Sequence, residues 1–349
     1  MDFRILQVGC GMRGRAWTEV LDDMEGVRAV GYVDTNLGNA QALAISRGQP
    51  AFDNLEVALR SVDVEGVLVV TPPATHQSLL EQVLRYRLPI LTEKPLADTM
   101  EGAVSIVATA EERSIPISVG MQFRYLPVTR MIRQLIDEGR YGQPGFALFT
   151  YLRNRDPYLP HLNWGSRYPV NQPHVKLLDS TIHHYDLMRY CYGSEPAWLQ
   201  TYTWNPTWSK YGHDSNVASL MKLSNGVMVQ YLGTFTAGRN ELQFEWRTDC
   251  EGGIISQRSL FGDLFVATSD APTMTPVPLE SCTPFLDDSR QLLSEFVRSL
   301  SAGQPVPCSG REHLSTLAMV FGAIESAETG QRVDMDEFRR RYGLRTNAV

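Results

Sequence analysis

The chain shows two patterns of hydrophobic and polar positions, one on each side of Gly120. In the first 120 residues, short apolar runs alternate with segments of helical periodicity. Runs such as Val27–Val33 and 64–70 are largely apolar, as is usual for parallel strands buried on both faces. We therefore predict that residues 1–120 form an α/β domain with a doubly wound parallel sheet.

Beyond Gly120, apolar runs follow one another with few helical segments between them. Ser224-Asn225-Gly226 separates two of these runs and is a hairpin signal. We predict an α+β domain over residues 121–349 with a large, mainly antiparallel sheet. Because its strands are rich in aromatic residues, we expect one face of this sheet to bind another subunit. The predicted strands are 145–153, 197–204, 216–223, 227–235, 241–248 and 253–258, and the closing helices are 287–301 and 311–329.

Composition and charge exclude several classes of protein. The 349 residues carry a formal net charge of −7, so a general binder of nucleic-acid backbones is not expected. The five cysteines include no Cys-x-x-Cys pair, which argues against a zinc knuckle or a disulfide framework. We recognise no signal peptide and no apolar run long enough to cross a bilayer. We therefore expect a reduced, cytoplasmic setting and no membrane partner.

A glycine-rich turn follows the first apolar run. Gly9, Gly11 and Gly14 have the spacing of a dinucleotide-binding turn. The first glycine allows the tight turn, the second admits the pyrophosphate, and the third lets the next helix pack on the strand. Contacts with the cofactor are therefore expected from Gly9, Gly11, Met12, Arg13 and Gly14.

Asp34 ends the second predicted strand, 20 residues after Gly14, where a ribose-binding acid is expected. It could also cap the helix that follows, and the two roles are compatible. A 2′-phosphate beside this carboxylate would cost about 4 kcal/mol per charge pair at an effective dielectric of 20. We therefore predict NAD in preference to NADP as the cofactor.

A proline-containing loop follows the predicted strand 64–70, at the end of the sheet where ligands of open α/β folds bind. Thr71 and Pro72 begin this loop and are expected to contact the cofactor. His76 lies in the first turn of the next helix. It is expected to be structural or to contact the cofactor ribose.

The loop Thr92-Glu93-Lys94-Pro95 follows the next predicted strand. We interpret Lys94 as the residue at which a bound nicotinamide meets a substrate hydroxyl. Glu93 is predicted on the cofactor side, where it fixes the loop or Lys94, with a purely structural acid as the alternative. Pro95, if cis, would hold the direction of the lysine.

A helix predicted over 176–187 carries a second cluster. Asp179 and His183 are four residues apart and so share one helical face, and Asp186 lies three residues further on. A histidine between two carboxylates is a suitable general base. The alternatives are an N-capping Asp179 with a histidine packed in the core, and a metal site. We expect no metal, and we assign His184 a structural role.

The preceding loop, 153–174, is rich in proline and aromatic residues, and long loops of this kind commonly line sites. Its candidates for binding a substrate are Tyr158, Trp164 and Arg167. For each of them a structural role is the alternative.

The motifs in this chain resemble those of the Gfo/Idh/MocA oxidoreductase family along nearly the whole sequence. The matching segments are Gly9-x-Gly11-x-x-Gly14, Thr71-Pro72-Pro73-x-x-His76, Glu93-Lys94-Pro95, Arg124 with Pro127, Asp179-x-x-x-His183-x-x-Asp186 and Ile324-Glu325-Ser326-Ala327-x-x-Gly330.

The resemblance implies a Rossmann domain followed by an open-faced sheet, in a homodimer or homotetramer. It also implies NAD(P)-dependent oxidation of a secondary alcohol on a sugar, sugar derivative or cyclitol. Carried over to this chain, Lys94, Asp179 and His183 form the catalytic group, and Arg124 joins Asp179 and His183 in binding the substrate.

The chain departs from the family pattern just before Asp179, where glycines are common and His174-Val175-Lys176 stands instead. We expect these larger residues to narrow or charge the substrate pocket. Two other functions remain open: a redox-neutral glycosidase that retains NAD, and a non-catalytic NAD-binding regulator. The presence of Lys94, Asp179 and His183 favours the dehydrogenase.

Overall fold

The computed structural model describes residues 2–155, 168–238 and 242–344. The chain forms two compact units. Unit 1 comprises Met1–Tyr125 and Thr283–Leu314, and unit 2 comprises Leu126–Cys282 and Ser315–Val349. The predicted domains divide the chain once, at residue 120, whereas these units divide it three times. The division into a cofactor domain and a substrate domain stays a prediction about function.

Unit 1 contains a six-stranded parallel sheet with the order β3-β2-β1-β4-β5-β6. The predicted doubly wound α/β arrangement is confirmed. The strand order reverses between β1 and β4, which is where open α/β sheets bind ligands. The strands are β1 (Phe3–Val8), β2 (Val27–Val33), β3 (Ala51–Phe52), β4 (Gly66–Val69), β5 (Ile90–Thr92) and β6 (Ile117–Val119).

Five helices connect these strands, and a sixth joins unit 1 from later in the chain. The connecting helices are α1 (Met12–Asp22), α2 (Leu37–Ala44), α3 (Leu55–Ser61), α4 (His76–Arg85) and α5 (Met100–Glu112). The late helix, Asp287–Ala302, packs against α1 and the turn Gln122–Tyr125. It buries Leu292, Leu293 and Phe296, which belong to the apolar stripe of its helical pattern.

Unit 2 contains a nine-stranded sheet with the order β14-β13-β12-β11-β7-β10-β9-β8-β15. Every neighbouring pair is antiparallel except β7 and β10, which are parallel. The prediction of a mainly antiparallel sheet is confirmed. The strands are β7 (Pro144–Leu152), β8 (Pro196–Trp204), β9 (Asn216–Leu223), β10 (Met228–Thr234), β11 (Gln243–Cys250), β12 (Gly253–Ser259), β13 (Gly262–Thr268), β14 (Thr275–Pro276) and β15 (Val333–Asp334).

The helices of the second half are, in chain order, α6 (Pro127–Asp137), α7 (Ile182–Tyr192), α8 (Asp287–Ala302, the late helix of unit 1), α9 (Gly310–Thr329) and α10 (Met335–Arg341). Helix α9 begins in unit 1 and continues into unit 2. In the part of the chain that the structure describes, no helix combines the length and the apolar character needed to cross a membrane.

The two faces of the unit 2 sheet differ in burial. Along β9, Val217, Met221 and Leu223 are buried, whereas Leu220 is 44% exposed, as expected when alternate side chains point to opposite faces. Helix α7 covers the buried face through contacts such as Tyr185 with Tyr231. The other face exposes large apolar side chains from β7, β8 and β9: Phe146, Leu148, Tyr202, Trp204 and Leu220.

Candidate active site

The glycine turn between β1 and α1 has the shape that a dinucleotide requires. Gly9 has a φ of +100°, and a Cβ there would lie 2.1 Å from the Val70 carbonyl oxygen. A Cβ on Gly14 would lie 2.3 Å from the Gly9 carbonyl oxygen, so helix and turn approach too closely for any side chain. At Gly11, by contrast, no described atom lies within 4 Å of the Cβ position. The turn is therefore fixed on its inner side and open at Gly11, which fits a pyrophosphate at the start of α1.

Buried polar groups hold this turn and the acid beside it. The Gln7 amide donates to the carbonyl oxygens of Gly9 and Gly14, at 3.1 and 2.9 Å. Asp34 Oδ2 accepts from the Cys10 backbone N–H at 2.9 Å, so its carboxylate lies directly at the turn. Asn36, not Asp34, caps α2. Of the two roles expected for Asp34, the cap is wrong, and the ribose role stays a prediction with suitable geometry.

His76 lies fully buried between the loops that follow β4 and β5. Its Nδ1 is 2.7 Å from the Pro95 carbonyl oxygen, and its Nε2 is 2.9 Å from the Thr71 carbonyl oxygen. Burial lowers the pKa of His76, although the two carbonyls oppose the shift. Both ring nitrogens are thus engaged by the protein, which favours the structural alternative over contact with a ribose. Thr71 is half-buried and Pro72 is exposed at the start of this loop.

Glu93 is buried and accepts hydrogen bonds from two side chains of α1. Its Oε1 accepts from Arg13 Nε at 2.6 Å and from Trp17 Nε1 at 2.7 Å. Burial raises the pKa of Glu93, but Arg13, Trp17 and Lys94 outweigh it, so the pKa lies below its usual value. Arg13 Nη2 also donates to Ser289 Oγ at 3.0 Å. The Arg13 side chain is therefore held inside unit 1, and it is the backbone of Arg13 that remains available to a cofactor.

Lys94 follows Glu93 at the end of β5. It is half-buried, and its backbone N–H donates to Glu93 Oε2 at 3.3 Å. The Lys94–Pro95 peptide bond is cis, as the sequence suggested. Glu93 thus contacts the backbone of the loop that carries Lys94, and both roles expected for it stay predictions.

Arg124 lies in a buried turn after β6 and forms an ion pair with Glu312 at the start of α9. The sequence placed Arg124 in substrate binding, and that role stays a prediction. The neighbouring Tyr125 hydroxyl donates to Glu295 Oε2 at 2.6 Å. These contacts attach the end of the first chain segment to α8 and α9 within unit 1.

The helix predicted over 176–187 is not regular. Residues Leu177–Thr181 form a wide turn of π-helix, in which the Ile182 N–H donates to the Leu177 carbonyl, before α7 begins at Ile182. Wide turns of this kind occur frequently at functional sites. Asp179 lies in the middle of the wide turn, and His183 lies in the first turn of α7, where it is buried.

Asp179 has a cationic partner that the sequence did not reveal. Its carboxylate forms an ion pair with Arg155, which is largely buried, while the Asp179 side chain is 36% exposed. The Arg155 guanidinium also lies 4.8 Å from the centre of the Phe235 ring. Asp179 is thus a partly accessible carboxylate with a fixed countercharge.

The other predicted members of this helix also have polar contacts. Asp186, expected to hold His183, accepts from Thr316 Oγ1 at 2.7 Å and lies 3.7 Å from Arg189. His184 is buried, with Nδ1 2.9 Å from the Tyr231 hydroxyl, in agreement with its structural assignment.

Two of the residues in place of the family's glycines have distinct local settings. The Lys176 side chain is fully buried, so it is not an exposed charge, and whether these residues narrow the substrate pocket stays a prediction. His174 has a φ of +52°, in the left-handed region that glycine adopts most readily.

Three predicted substrate residues, Tyr158, Trp164 and Arg167, lie outside the described residues. Within the described ranges, no group of three or more His, Cys, Asp or Glu side chains could hold a metal ion.

Comparisons with known proteins match both halves of the chain. A family model described as "Oxidoreductase family, NAD-binding Rossmann fold" matches residues 3–121, and one described as "GFO/IDH/MocA C-terminal domain" matches residues 129–256.

Two curated relatives match the chain over almost its full length. Inositol 2-dehydrogenase of Rhizobium meliloti (strain 1021) is 22% identical, over 96% of this chain and 100% of the relative. The 1,5-anhydro-D-fructose reductase of Ensifer adhaerens is 25% identical, over 94% of this chain and 97% of the relative.

The fold is also similar to that of solved structures. An oxidoreductase from Agrobacterium radiobacter, solved with NAD+, L-tartaric acid and magnesium, superposes with a TM-score of 0.87 at 19% identity. The superposition covers 97% of this chain and 99% of that one.

Proposed function

Because the chain belongs to the Gfo/Idh/MocA oxidoreductase family, we propose that it transfers a hydride between a nicotinamide cofactor and a secondary alcohol of a sugar, sugar derivative or cyclitol. The observation that carries the proposal is the glycine turn, which is open at Gly11 and has the Asp34 carboxylate beside it. The retention of Lys94, Asp179 and His183 in the same chain supports it.

NAD is the proposed cofactor. The backbone of residues 9–14 would hold its pyrophosphate, and Asp34 would accept hydrogen bonds from its ribose. The Arg13 side chain pairs with Glu93 and Ser289, so it offers no countercharge to a 2′-phosphate. When bound, the nicotinamide supplies the acceptor or donor of the hydride.

Each of the three catalytic candidates has a distinct proposed role. His183 takes the proton from the substrate hydroxyl as a general base. Asp179 binds the substrate and orients that base, and Arg155 supplies the countercharge of its carboxylate. Lys94 donates a hydrogen bond to the reacting oxygen and stabilises its developing negative charge. In reduction of a ketone the same groups act in reverse, with His183 returning the proton.

The relatives support the proposed substrate class. An inositol dehydrogenase and an anhydrofructose reductase are similar to this chain over almost its full length, and both names describe redox chemistry at a carbon bearing oxygen. We therefore propose a polyhydroxylated ring as substrate.

A screen for NADH formation tests this function. The purified protein is mixed with NAD or NADP and a panel of inositols, aldoses, glycosides and amino sugars, and absorbance is followed over time. We expect NADH formation with at least one cyclic polyol and a preference for NAD. NADP-linked activity alone would contradict the cofactor proposal.

Two substitutions test the catalytic roles. His183→Ala is expected to lower turnover by ~10² to 10⁴-fold, the usual contribution of a general base, while the affinity for NAD is unchanged. Lys94→Ala is expected to abolish turnover with an unchanged melting temperature. The exposed His213→Ala and Lys210→Ala are matched controls and should keep full activity. Full activity in folded His183→Ala would remove this residue from the mechanism.

The same screen separates the alternatives. A redox-neutral glycosidase would release sugar from a glycoside without net NADH and would purify with NAD bound. A regulator without activity would bind NAD, turn over nothing in the panel, and be unaffected by His183→Ala.

We also propose that the chain forms a homodimer or homotetramer through the open face of the unit 2 sheet. The support is the group of large apolar side chains on that face, including Tyr202 at 57% exposed and Phe146 at 46%. Large groups of exposed apolar side chains often mark interaction surfaces.

A further inference from the structure

Lys176 is a fully buried lysine at the start of the wide turn that carries Asp179. Its Nζ lies 4.7 Å from the centre of the Tyr151 ring, 5.0 Å from that of Phe235 and 5.5 Å from that of Tyr231. Burial lowers the pKa of Lys176 well below its usual value, with Asp179 opposing the shift and Arg155 adding to it. An amine buried at this cost requires compensating contacts.

The compensating contacts are three hydroxyl groups. Lys176 Nζ donates to Ser180 Oγ at 2.7 Å, to Thr181 Oγ1 at 3.2 Å and to the Tyr231 hydroxyl at 2.9 Å. Ser180 and Thr181 directly follow Asp179, at four and five residues from Lys176. Lys176 directly precedes the wide turn, and its amine therefore links the last two residues of the turn to β10.

The surrounding residues leave space for this amine. Gly233 follows Tyr231 on the same face of β10, and a Cβ there would lie 2.3 Å from the Tyr231 hydroxyl and 2.6 Å from Lys176 Nζ. Tyr231 also lies 2.8 Å from Thr181 Oγ1 and 2.9 Å from His184 Nδ1. One hydroxyl of the sheet thus connects the lysine, the wide turn and the first turn of α7.

From these contacts we infer that Lys176 is a positioning residue for Asp179. By tying the two hydroxyls that follow Asp179 to Tyr231, it holds the turn in its wide form and fixes the direction of the carboxylate. The inference rests on the proposed function, in which Asp179 binds the substrate and orients His183. It assigns Lys176 no contact with substrate or cofactor.

The central experiment is a double-mutant cycle between Lys176→Met and Asp179→Asn. Methionine has a similar length and suits the aromatic surroundings, but it forms none of the three hydrogen bonds. We expect Lys176→Met to lower kcat by ~10- to 100-fold, as small misplacements of catalytic groups do, with unchanged affinity for NAD. If Lys176 acts through Asp179, the same substitution should cost nothing further in the Asp179→Asn background.

Tyr192→Phe is the matched control for a general loss of packing. It removes another fully buried hydroxyl of unit 2, one that contacts Thr248 at 2.7 Å and Trp246 at 2.9 Å. We expect it to lower the melting temperature without changing kcat in either background. If Lys176→Met behaves in the same way, or lowers kcat as much in the Asp179→Asn background as in the parent, the inference is wrong.

A milder substitution keeps the test decisive if Lys176→Met does not fold. Ser180→Ala removes only the 2.7 Å hydrogen bond from Lys176 Nζ to Ser180 Oγ. It should lower kcat in the parent but not in the Asp179→Asn background. An unchanged kcat in Ser180→Ala would then overturn the inference. His183→Ala is assayed in parallel, so that the two proposals can fail separately. If His183→Ala keeps full activity, the proposed function is wrong. If His183→Ala loses turnover while Lys176→Met is fully active, only the role of Lys176 is excluded.

Discussion

Two carboxylates near Arg13 show that the pKa of a buried acid depends on its local hydrogen-bond donors. Glu93 and Asp288 are both buried carboxylates in unit 1 that interact with Arg13. Glu93 accepts hydrogen bonds from Arg13 and Trp17, and its pKa is lowered despite burial. At Asp288, burial raises the pKa of the carboxyl to about 6, and Arg13 opposes this only in part.

Asp288 should make the stability of the protein depend on pH. Its pKa is higher in the folded state than the ordinary 3.8, so the folded protein binds this proton more tightly. The carboxylate therefore destabilises the protein above about pH 6, and this effect disappears as pH falls toward 3.8. A shift of about two pKa units corresponds to at most about 3 kcal/mol.

Asp288→Asn is predicted to remove this dependence. Relative to the parent, its unfolding midpoint should be higher at pH 7.5 than at pH 4.5, as measured by urea denaturation at both values. Asp287→Asn, which removes the neighbouring carboxylate, is the matched control. Equal pH-dependent changes of the unfolding midpoint in both variants would contradict the assignment of this pH dependence to Asp288.

Residue types in local motifs could be predicted, but their partners could not. The spacing of Gly9, Gly14 and Asp34 indicated a tight turn with an acid beside it, and the structure has this arrangement. Arg155 lies 24 residues from Asp179, Tyr231 lies 55 from Lys176 and Trp17 lies 76 from Glu93. Such pairs depend on how strands and helices pack, which periodicity does not specify.

At the scale of elements, the wide turn shows what the sequence motifs can and cannot predict. The resemblance to the family placed a helix over residues 176–187, and helical structure, π-helical over Leu177–Thr181, does occupy most of that range. The wide first turn and the Lys176 contact with β10 were not visible in the sequence. Likewise, alternation predicted β7 and β10 as strands, but only the structure shows that they run parallel.

His174 precedes the wide turn in a left-handed conformation, which costs ~1–2 kcal/mol for a residue with a Cβ. His174→Gly should therefore leave stability unchanged or slightly raised, because relief of this strain is offset by the greater freedom of glycine in the unfolded chain. His174→Val should be less stable than His174→Gly by roughly 1–2 kcal/mol, since a β-branched residue tolerates this conformation poorly. Thermal unfolding of the parent and both variants measures this order of stability. Equal stability of the two variants would show that the backbone here relaxes freely.

For the whole molecule, fold class and family could be predicted because several motifs occur in the right order along the entire chain. The path of the chain between units could not. Residues 283–314 return to unit 1 because α8 carries partners for Arg13 and for the turn at 122–125, and a helical stripe alone does not identify its neighbour. Within the chain, an NAD-binding Rossmann segment and a Gfo/Idh/MocA C-terminal segment together make an oxidoreductase acting on CH–OH groups.

Assembly of copies belongs to the same scale. Leu220→Glu places a charge on the face of the unit 2 sheet that exposes large apolar side chains, so a dimer or tetramer formed through that face should dissociate. Sedimentation velocity at several concentrations measures the change. Val57→Glu, at a 53% exposed position on α3 of unit 1, is the control and should leave the oligomeric state unaltered. A parent protein that is monomeric at all concentrations would rule out the proposed assembly.

The late return of Thr283–Leu314 to unit 1 also has a consequence during synthesis on the ribosome. At 5–20 residues per second, the stretch after Tyr125 takes roughly 8–30 s to emerge before this segment is available. Throughout that time the nascent Rossmann sheet lacks Ser289 for Arg13 and Phe285 for Phe123. The growing chain therefore exposes an apolar and charged surface to which a chaperone can bind until α8 covers it.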